Sequence, residues 1–79
     1  LARNAALCLD RRTRMMYDAR HVYINGESFR AGGRDGRLMR RLADARCLSA
    51  RDCAALSAGA RDVVQGWLGD GWLEPEDAT

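Results

Sequence analysis

HVYINGESFR, residues 21–30, is the stretch that decides how the first half of the chain folds. Apolar and polar side chains alternate on both sides of Asn25 and Gly26, as they do in strands that bury one face. Asn and Gly both tolerate the positive φ angles that a two-residue type I′ turn requires. The stretch therefore predicts a β-hairpin. Its register pairs residues at equal distances from the turn: Ile24 with Glu27, Tyr23 with Ser28, Val22 with Phe29, and His21 with Arg30.

Two shorter apolar runs precede the hairpin. TRMMYD, residues 13–18, is typical of a further strand. ALCLD, residues 6–10, fits either a strand or the end of a helix, because so short a run has no distinguishing period. The N-terminal part of the chain is therefore expected to consist largely of strands.

The rest of the chain has the pattern of three helices. In the first, over residues 34–47, Leu38 and Leu42 are four apart and share one face. Ser49 begins an S-x-x-D sequence that is close to a capping box, so a short second helix is expected after it. Ser57 can cap the third helix. That helix has the clearest apolar stripe in the chain: Ala60, Val63, Val64, Trp67 and Leu68.

The order of these elements predicts the fold class. Gly69 and Gly71 are expected to end the third helix, and Trp72 and Leu73 to follow as a short strand or an apolar cover. The result is an α+β fold: a small winged-helix-like domain with N-terminal strands and a hairpin, then three helices and a short C-terminal strand. We expect residues 1–79 to form one such domain, because 79 residues is the size of a single small domain. Since the first residue is not Met, we also expect it to be a piece of a longer protein.

Charge is unevenly distributed along the chain. All 13 basic residues are Arg, which either reflects a genome rich in Arg codons or serves planar contacts with carboxylates and phosphates. Residues 1–46 hold 11 Arg and 5 acidic residues, a net charge of +6, whereas residues 47–79 carry −4. This split indicates a basic and an acidic face. Either the basic face docks onto something charged, or the two faces attract each other within the fold.

The chain has three cysteines and one histidine, and their spacing matches no zinc site. An odd number of cysteines favours a reducing compartment, so we expect Cys8, Cys47 and Cys53 to be structural and the protein to be cytoplasmic. No stretch approaches the roughly 18–20 apolar residues that span a bilayer, so no membrane contact is expected.

No residue pattern predicts catalysis. His21 falls on the polar face of its strand near Arg30, with no evident carboxylate to orient it. The glycines at 32, 33 and 36 precede a helix but lack both the P-loop sequence and the βαβ unit of a dinucleotide site. We therefore expect this fragment to have no catalytic, metal-binding or cofactor-binding residues, and not to be an enzyme itself.

Nucleic-acid binding is the alternative functional class. A helix-turn-helix protein reads bases with its recognition helix, here the third, which offers only Arg61 beside Asp62. This argues against specific DNA binding and leaves weak, non-specific binding as the alternative. The candidate partner-contact residues are the arginines of the basic half that flank the hairpin: Arg11, Arg12, Arg14, Arg34, Arg37 and Arg41.

Three segments carry a family resemblance. LDRRTRMMYDARHVYINGESFRAGGRD (residues 9–35), LMRRLADAR (38–46) and GWLGDGW (66–72) resemble the C-terminal domain of bacterial cupin-type JmjC oxygenases, the ribosomal-protein hydroxylases that use iron(II) and 2-oxoglutarate. The most specific parts are R-x-R-M-x-Y-D, residues 12–18, and INGES, residues 24–28.

The resemblance implies a winged helix that follows a double-stranded β-helix catalytic domain and a helical dimerisation segment. The family's iron ligands, H-x-D and a distant His, are absent from this sequence, so no catalytic residue can be assigned from it. The implied function is that of a non-catalytic accessory domain, structural or substrate-docking, of a 2-oxoglutarate-dependent protein hydroxylase. The implied partners are the catalytic and dimerisation domains of the parent chain and, as a further candidate, its ribosomal protein substrate.

Overall fold

The computed structural model describes residues 6–75, so the expected single domain over 1–79 extends past the described residues at both ends. Within residues 6–75 there are six strands and three helices. In chain order these are β1 (Leu7–Leu9), β2 (Met15–Tyr17), β3 (His21–Ile24), β4 (Glu27–Arg30), α1 (Gly33–Ala45), β5 (Cys47–Leu48), α2 (Ala50–Ala54), α3 (Ala58–Gly69) and β6 (Leu73–Pro75). The predicted α+β class and the predicted order of elements are confirmed, with β5 as an addition.

The hairpin formed by β3 and β4 has the predicted register at all four pairs. Asn25 has a φ of 48° and Gly26 a φ of 87°, as a type I′ turn requires. A Cβ atom at Gly26 would meet nothing within 4 Å. The turn therefore needs glycine for its backbone conformation and not for space.

Strands β2, β3 and β4 form one antiparallel sheet, which we call the hairpin sheet. Helix α1 packs against β2 and β3. Met15, Val22 and Ile24 point towards this helix and are buried, because side chains alternate between the two sides of a strand. The opposite side, which we call the outer face, exposes Met16 and Tyr23.

A second sheet has the strand order β5-β1-β6. The short run at residues 6–10, which fits either a strand or a helix end by sequence, is thus the central strand of this sheet. Leu7 lies opposite Pro75, so the two ends of the described chain are side by side. Helix α1 contacts β5, and α3 contacts β6, so both helices rest on this sheet.

Two serines cap helices as predicted. The Ser49 hydroxyl accepts the backbone N–H of Asp52 at 3.1 Å, and the Ser57 hydroxyl accepts that of Ala60 at 3.2 Å. Ser57 also donates its hydroxyl to a carboxylate oxygen of Asp35 at 2.6 Å. This bond lowers the pKa of Asp35 and joins the first turn of α1 to the start of α3.

The core joins both sheets and all three helices. Its centre includes Val64 and Trp67 of the predicted α3 stripe, whereas Ala60, Val63 and Leu68 lie at its margin. The ring of Trp67 meets that of Phe29 edge-on, with centroids 5.4 Å apart. An edge-on aromatic pair of this kind stabilises the docking of the hairpin sheet on α3. The buried set comprises Leu7, Leu9, Met15, Val22, Ile24, Leu38, Met39, Leu42, Leu48, Cys53, Leu56, Val64, Trp67 and Leu73.

The cysteines differ in part from the sequence-based expectation. Cys8 and Cys47 lie opposite each other on β1 and β5 and form a disulfide. Cys53 is a buried free thiol, and burial raises its pKa, so this thiol stays protonated and inert. The disulfide does not fit the reducing compartment inferred from the odd number of cysteines, and the cytoplasmic location stays a prediction. The two partners are 39 residues apart, so their spacing could not reveal the pair.

No helix among the described residues has the length and apolar character needed to cross a membrane.

Candidate interaction surfaces

The six candidate arginines are all exposed, but the structure places them on two different elements. Arg11, Arg12 and Arg14 lie in the connection between β1 and β2, beside the hairpin sheet. The other three lie on α1 at positions 34, 37 and 41, spaced so that they share one side of the helix. We call these two groups the loop arginines and the helix arginines.

One helix arginine is used inside the fold. Arg41 donates to a carboxylate oxygen of Asp52 at 2.6 Å, which ties α1 to α2. Among residues 6–75 this is the one ion pair that joins the basic half of the sequence to the acidic half. The idea that the two halves attract each other therefore accounts for Arg41, whereas Arg34 and Arg37 form no ion pair among the described residues.

The connection that carries the loop arginines is held from both sides. The guanidinium of Arg46 donates to the carbonyl oxygens of Asp10, at 2.9 Å, and Thr13, at 3.0 Å. The Thr13 hydroxyl, which is buried, donates to the carbonyl of Trp72 at 2.8 Å. Five residues without regular structure are thus fixed between the two sheets, so the side chains they carry start from defined positions.

The loop arginines adjoin an apolar part of the outer face. Arg14 and Asn25 bond to each other, which brings the connection against the hairpin turn. The result is a shallow hollow whose lining combines guanidinium groups with apolar and aromatic side chains. Its walls are formed by Arg12, Arg14, Met16, Tyr23, Asn25 and Gly26.

Asp18 organises the other end of the outer face. One of its carboxylate oxygens accepts the Tyr23 hydroxyl at 2.6 Å, and the other accepts the backbone N–H groups of Arg20 and His21, each at 2.8 Å. The Tyr23 hydroxyl is the largest cause that lowers the pKa of Asp18 to about 2, and the same bond raises the pKa of Tyr23. Nδ1 of His21 lies 3.6 Å from Asp18, so His21 does have a neighbouring carboxylate, contrary to the reading of the sequence alone.

The glycine run at the start of α1 has a packing role at one position. Gly36 is buried in the first turns of α1, and a Cβ atom there would lie 3.0 Å from the carbonyl oxygen of Ala31. Close approach of the chain leading into the helix therefore requires this glycine. Gly33 and Gly36 thus belong to α1 itself, whereas the sequence suggested that the run precedes the helix.

A second concave region lies between the hairpin sheet and α3. Its floor is apolar and includes Phe29, Val63 and Trp67. Its rim carries Asp35 and Ser57, which are bonded to each other. Both carboxylate oxygens of Asp35 accept from Ser57, one from its backbone N–H and one from its hydroxyl, so this polar pair is tied into the fold.

The three helices, together with the three-stranded sheet in the order β5-β1-β6, define a winged-helix domain. More narrowly, the chain belongs to the ROXA-like winged helix family, whose family model matches residues 2–74. The match confirms the family resemblance drawn from the sequence. No curated protein and no solved structure matches the chain significantly.

Proposed function

We propose that this chain is a non-catalytic accessory domain, structural or substrate-docking, of an iron(II)- and 2-oxoglutarate-dependent ribosomal-protein hydroxylase. The observation that carries the proposal is the family match over residues 2–74, which spans nearly the whole chain. The sequence resemblance to the C-terminal domain of cupin-type JmjC oxygenases supplies the rest. The proposed partners are the catalytic and dimerisation domains of the parent chain and, as a second candidate, the ribosomal protein substrate.

The described residues do not fit iron(II). His21 is the sole histidine of the sequence and has Asp18 beside it, but no group of three or more potential ligands lies together within residues 6–75. We therefore assign iron and 2-oxoglutarate to the parent enzyme and derive no catalytic step through this domain.

The helix arginines are the best candidates for contact with the parent enzyme or its substrate. Arg34 and Arg37 are exposed on α1, a helix that is fixed in the core by its buried residues Leu38, Met39 and Leu42. A guanidinium carried by a rigid helix loses less conformational freedom on binding. Such a surface suits an acidic protein partner, because Arg makes planar, bidentate bonds to carboxylates.

Two experiments test the proposal. The isolated chain, mixed with iron(II), 2-oxoglutarate and ribosomal proteins, should not decarboxylate 2-oxoglutarate; measurable turnover would refute the non-catalytic role. In the full parent enzyme, Arg37→Glu should lower hydroxylation of the protein substrate or destabilise the assembly. Arg51→Glu, an exposed arginine of α2, is the matched control and should leave both unchanged. Equal behaviour of the two variants would remove α1 from the docking surface.

The alternative, a weak and non-specific nucleic-acid-binding module, is not supported at the recognition helix. Arg61 of α3 donates to the carbonyl of Ala54 at 2.9 Å, and Asp62 beside it is exposed. Phosphate contacts need free cations on the docking face, and α3 does not offer them. If the chain binds nucleic acid, another surface must carry the contact.

A further inference from the structure

The outer face of the hairpin sheet presents two neighbouring rings. His21 and Tyr23 are two residues apart on β3, so they share a face, and their ring centroids are 6.2 Å apart with the planes tilted by 33°. Met16 lies directly opposite Tyr23 on β2 and is 67% exposed. Because α1 packs against the other side of this sheet, the three side chains form an open apolar and aromatic surface.

The Tyr23 ring of this surface is held in place before any partner arrives. The Tyr23 hydroxyl is held by Asp18 at 2.6 Å, and the same carboxylate lies beside the imidazole of His21. The Tyr23 ring is therefore anchored at its hydroxyl, which limits its rotamers, whereas the imidazole of His21, at 3.6 Å, makes no hydrogen bond to Asp18. A ring that is already fixed loses less entropy on binding.

Positive charge flanks the rings at both ends. Arg12 and Arg14 line the same hollow as Met16 and Tyr23, and Arg30 lies across from His21 in the register of β3 and β4. The Arg12 side chain is 96% exposed and reaches its nearest carboxylate only at 4.0 Å, a contact of little energetic weight. Arg14 and Arg30 form no ion pair among the described residues. Against these three arginines stand the carboxylates of Asp18 and, next to Arg12, Asp10, so positive charge is in excess on this face.

We propose that the outer face of the hairpin sheet binds single-stranded nucleic acid, with bases stacked on Tyr23 and His21 and phosphates against Arg12 and Arg14. Aromatic rings beside cationic side chains are the combination that single strands use, because every base has a face that stacks and every linkage carries a charge. In a duplex the bases are stacked on each other and cannot reach the rings. An acidic peptide would match the charge but would leave the rings without stacking partners.

The proposal is independent of the accessory role proposed above. It assigns a ligand to the outer face, whereas the accessory role concerns the parent enzyme and the helix arginines. Either can fail without the other. It also departs from the usual winged-helix geometry, since α3 takes no part in it.

The binding test uses the 79-residue chain and fluorescence anisotropy. The probes are labelled oligouridylate and oligothymidylate of about ten nucleotides, a duplex of the same length, and an oligoglutamate peptide. We expect dissociation constants in the range of about 10⁻⁴–10⁻⁶ M at physiological salt, the range of non-specific nucleic-acid contacts, with single strands preferred. Tighter binding of the duplex or of the peptide, or no binding of single strands even at low salt, would overturn the proposal.

A pair of tyrosine variants tests the stacking. Tyr23→Leu should weaken single-strand binding by about 5-fold or more, since stacking on an aromatic ring contributes substantially for each base. Tyr17→Leu is the matched control, because Tyr17 also donates its hydroxyl to a carboxylate, Asp44 at 2.9 Å, but belongs to the face that carries Met15. Tyr23→Phe keeps the ring and should retain binding even if Tyr23→Leu folds poorly. Equal affinities for Tyr23→Leu and Tyr17→Leu in folded protein would exclude stacking.

The salt dependence tests the phosphate contacts. For single strands, the slope of log affinity against log salt falls by about 0.7 for each phosphate contact removed. The double variant Arg12→Ser/Arg14→Ser should therefore lower the slope by about 1.4. Arg37→Ser/Arg51→Ser removes the same charge from α1 and α2 and should leave the slope nearly unchanged. If the slope falls equally in both double variants, the effect is one of general charge, and the proposed binding site is refuted.

Discussion

Arg14 and Asn25 are joined by two hydrogen bonds in opposite directions. The backbone N–H of Asn25 donates to the Arg14 carbonyl at 2.9 Å, and the Asn25 side-chain oxygen accepts the backbone N–H of Arg14 at 3.0 Å. Asn25 thus provides both the φ of 48° that the hairpin turn needs and the hydrogen bonds that hold the connection carrying the loop arginines. The conformation of the turn and the position of the proposed binding surface are therefore coupled.

The hairpin turn can be tested with two glycines that differ in backbone conformation but both have free space for a Cβ atom. Gly26→Ala should cost about 1–2 kcal/mol of unfolding free energy, because Ala is strained at positive φ. Gly66→Ala, within α3, should stabilise by about 0.5–1 kcal/mol, since Ala is the better helix former. Neither new Cβ meets an atom within 4 Å. Urea denaturation, monitored by circular dichroism, measures the unfolding free energy of both variants. If the two substitutions change this free energy with the same sign, a type I′ turn is excluded.

The Trp67 side chain should be a core element and not part of an interface. Trp67→Ala should cost about 3–5 kcal/mol, enough to unfold many small domains, because the residue is buried against Phe29. Trp72→Ala should cost less, since Trp72 is only partly buried. Chemical denaturation of both variants gives the comparison. A Trp67→Ala protein that folds normally but loses a partner would instead place the α3 stripe in an interface.

Stability should fall in acid through Asp18. The pKa of this carboxyl is about 2 in the folded protein, below its ordinary value of 3.8, so folding favours the ionised form. Its contribution is complete above the ordinary pKa and is lost as the pH falls from about 4 towards 2. In Asp18→Asn the unfolding midpoint should depend less on pH within this window. A variant whose midpoint falls as steeply as that of the wild type would show that other carboxyls, such as Asp35, dominate.

The disulfide should stabilise the second sheet. It closes a loop with a sequence separation of 39 residues, and a bond that closes a loop of this length typically contributes about 2–4 kcal/mol. A strong reductant should therefore lower the Tm of the wild type. The double variant Cys8→Ser/Cys47→Ser should melt at a lower temperature and show no further change with reductant. An unchanged wild-type Tm in reductant would mean that the disulfide does not stabilise the fold.

Local chemistry explains why part of the fold could be predicted from the sequence. The hairpin register depends on Asn25, Gly26 and four residues on either side, and the caps of α2 and α3 each depend on a Ser and an N–H three positions later. The β5-β1-β6 sheet was not predictable in this way. It pairs Cys8 with Cys47 and Leu7 with Pro75, and no local pattern marks residues so far apart.

The candidate interaction surfaces could likewise be predicted only in part. From the sequence, the loop arginines and the helix arginines form a single group. Nothing in the sequence shows that Arg41 of α1 bonds to Asp52 of α2. Alternation placed His21 and Tyr23 on one face, yet the exposure of that face depends on where α1 packs. The place of Met16 and Asp18 at this surface is therefore apparent only from the structure. For Met16 the sequence did offer a signal, namely its position in a predicted strand.

The side-by-side position of Leu7 and Pro75 has a mechanical consequence. A force that pulls these two residues apart acts across the ladder of β1 and β6, so it loads one residue pair at a time instead of shearing all the pairs together. The domain should thus open like a zipper at low force, from Leu7 towards Leu9. Cys8 is the second residue along this path and is covalently bound to Cys47 on β5. With the disulfide intact, tension that has separated the first pair passes into β5, so oxidised protein should resist extension further than reduced protein.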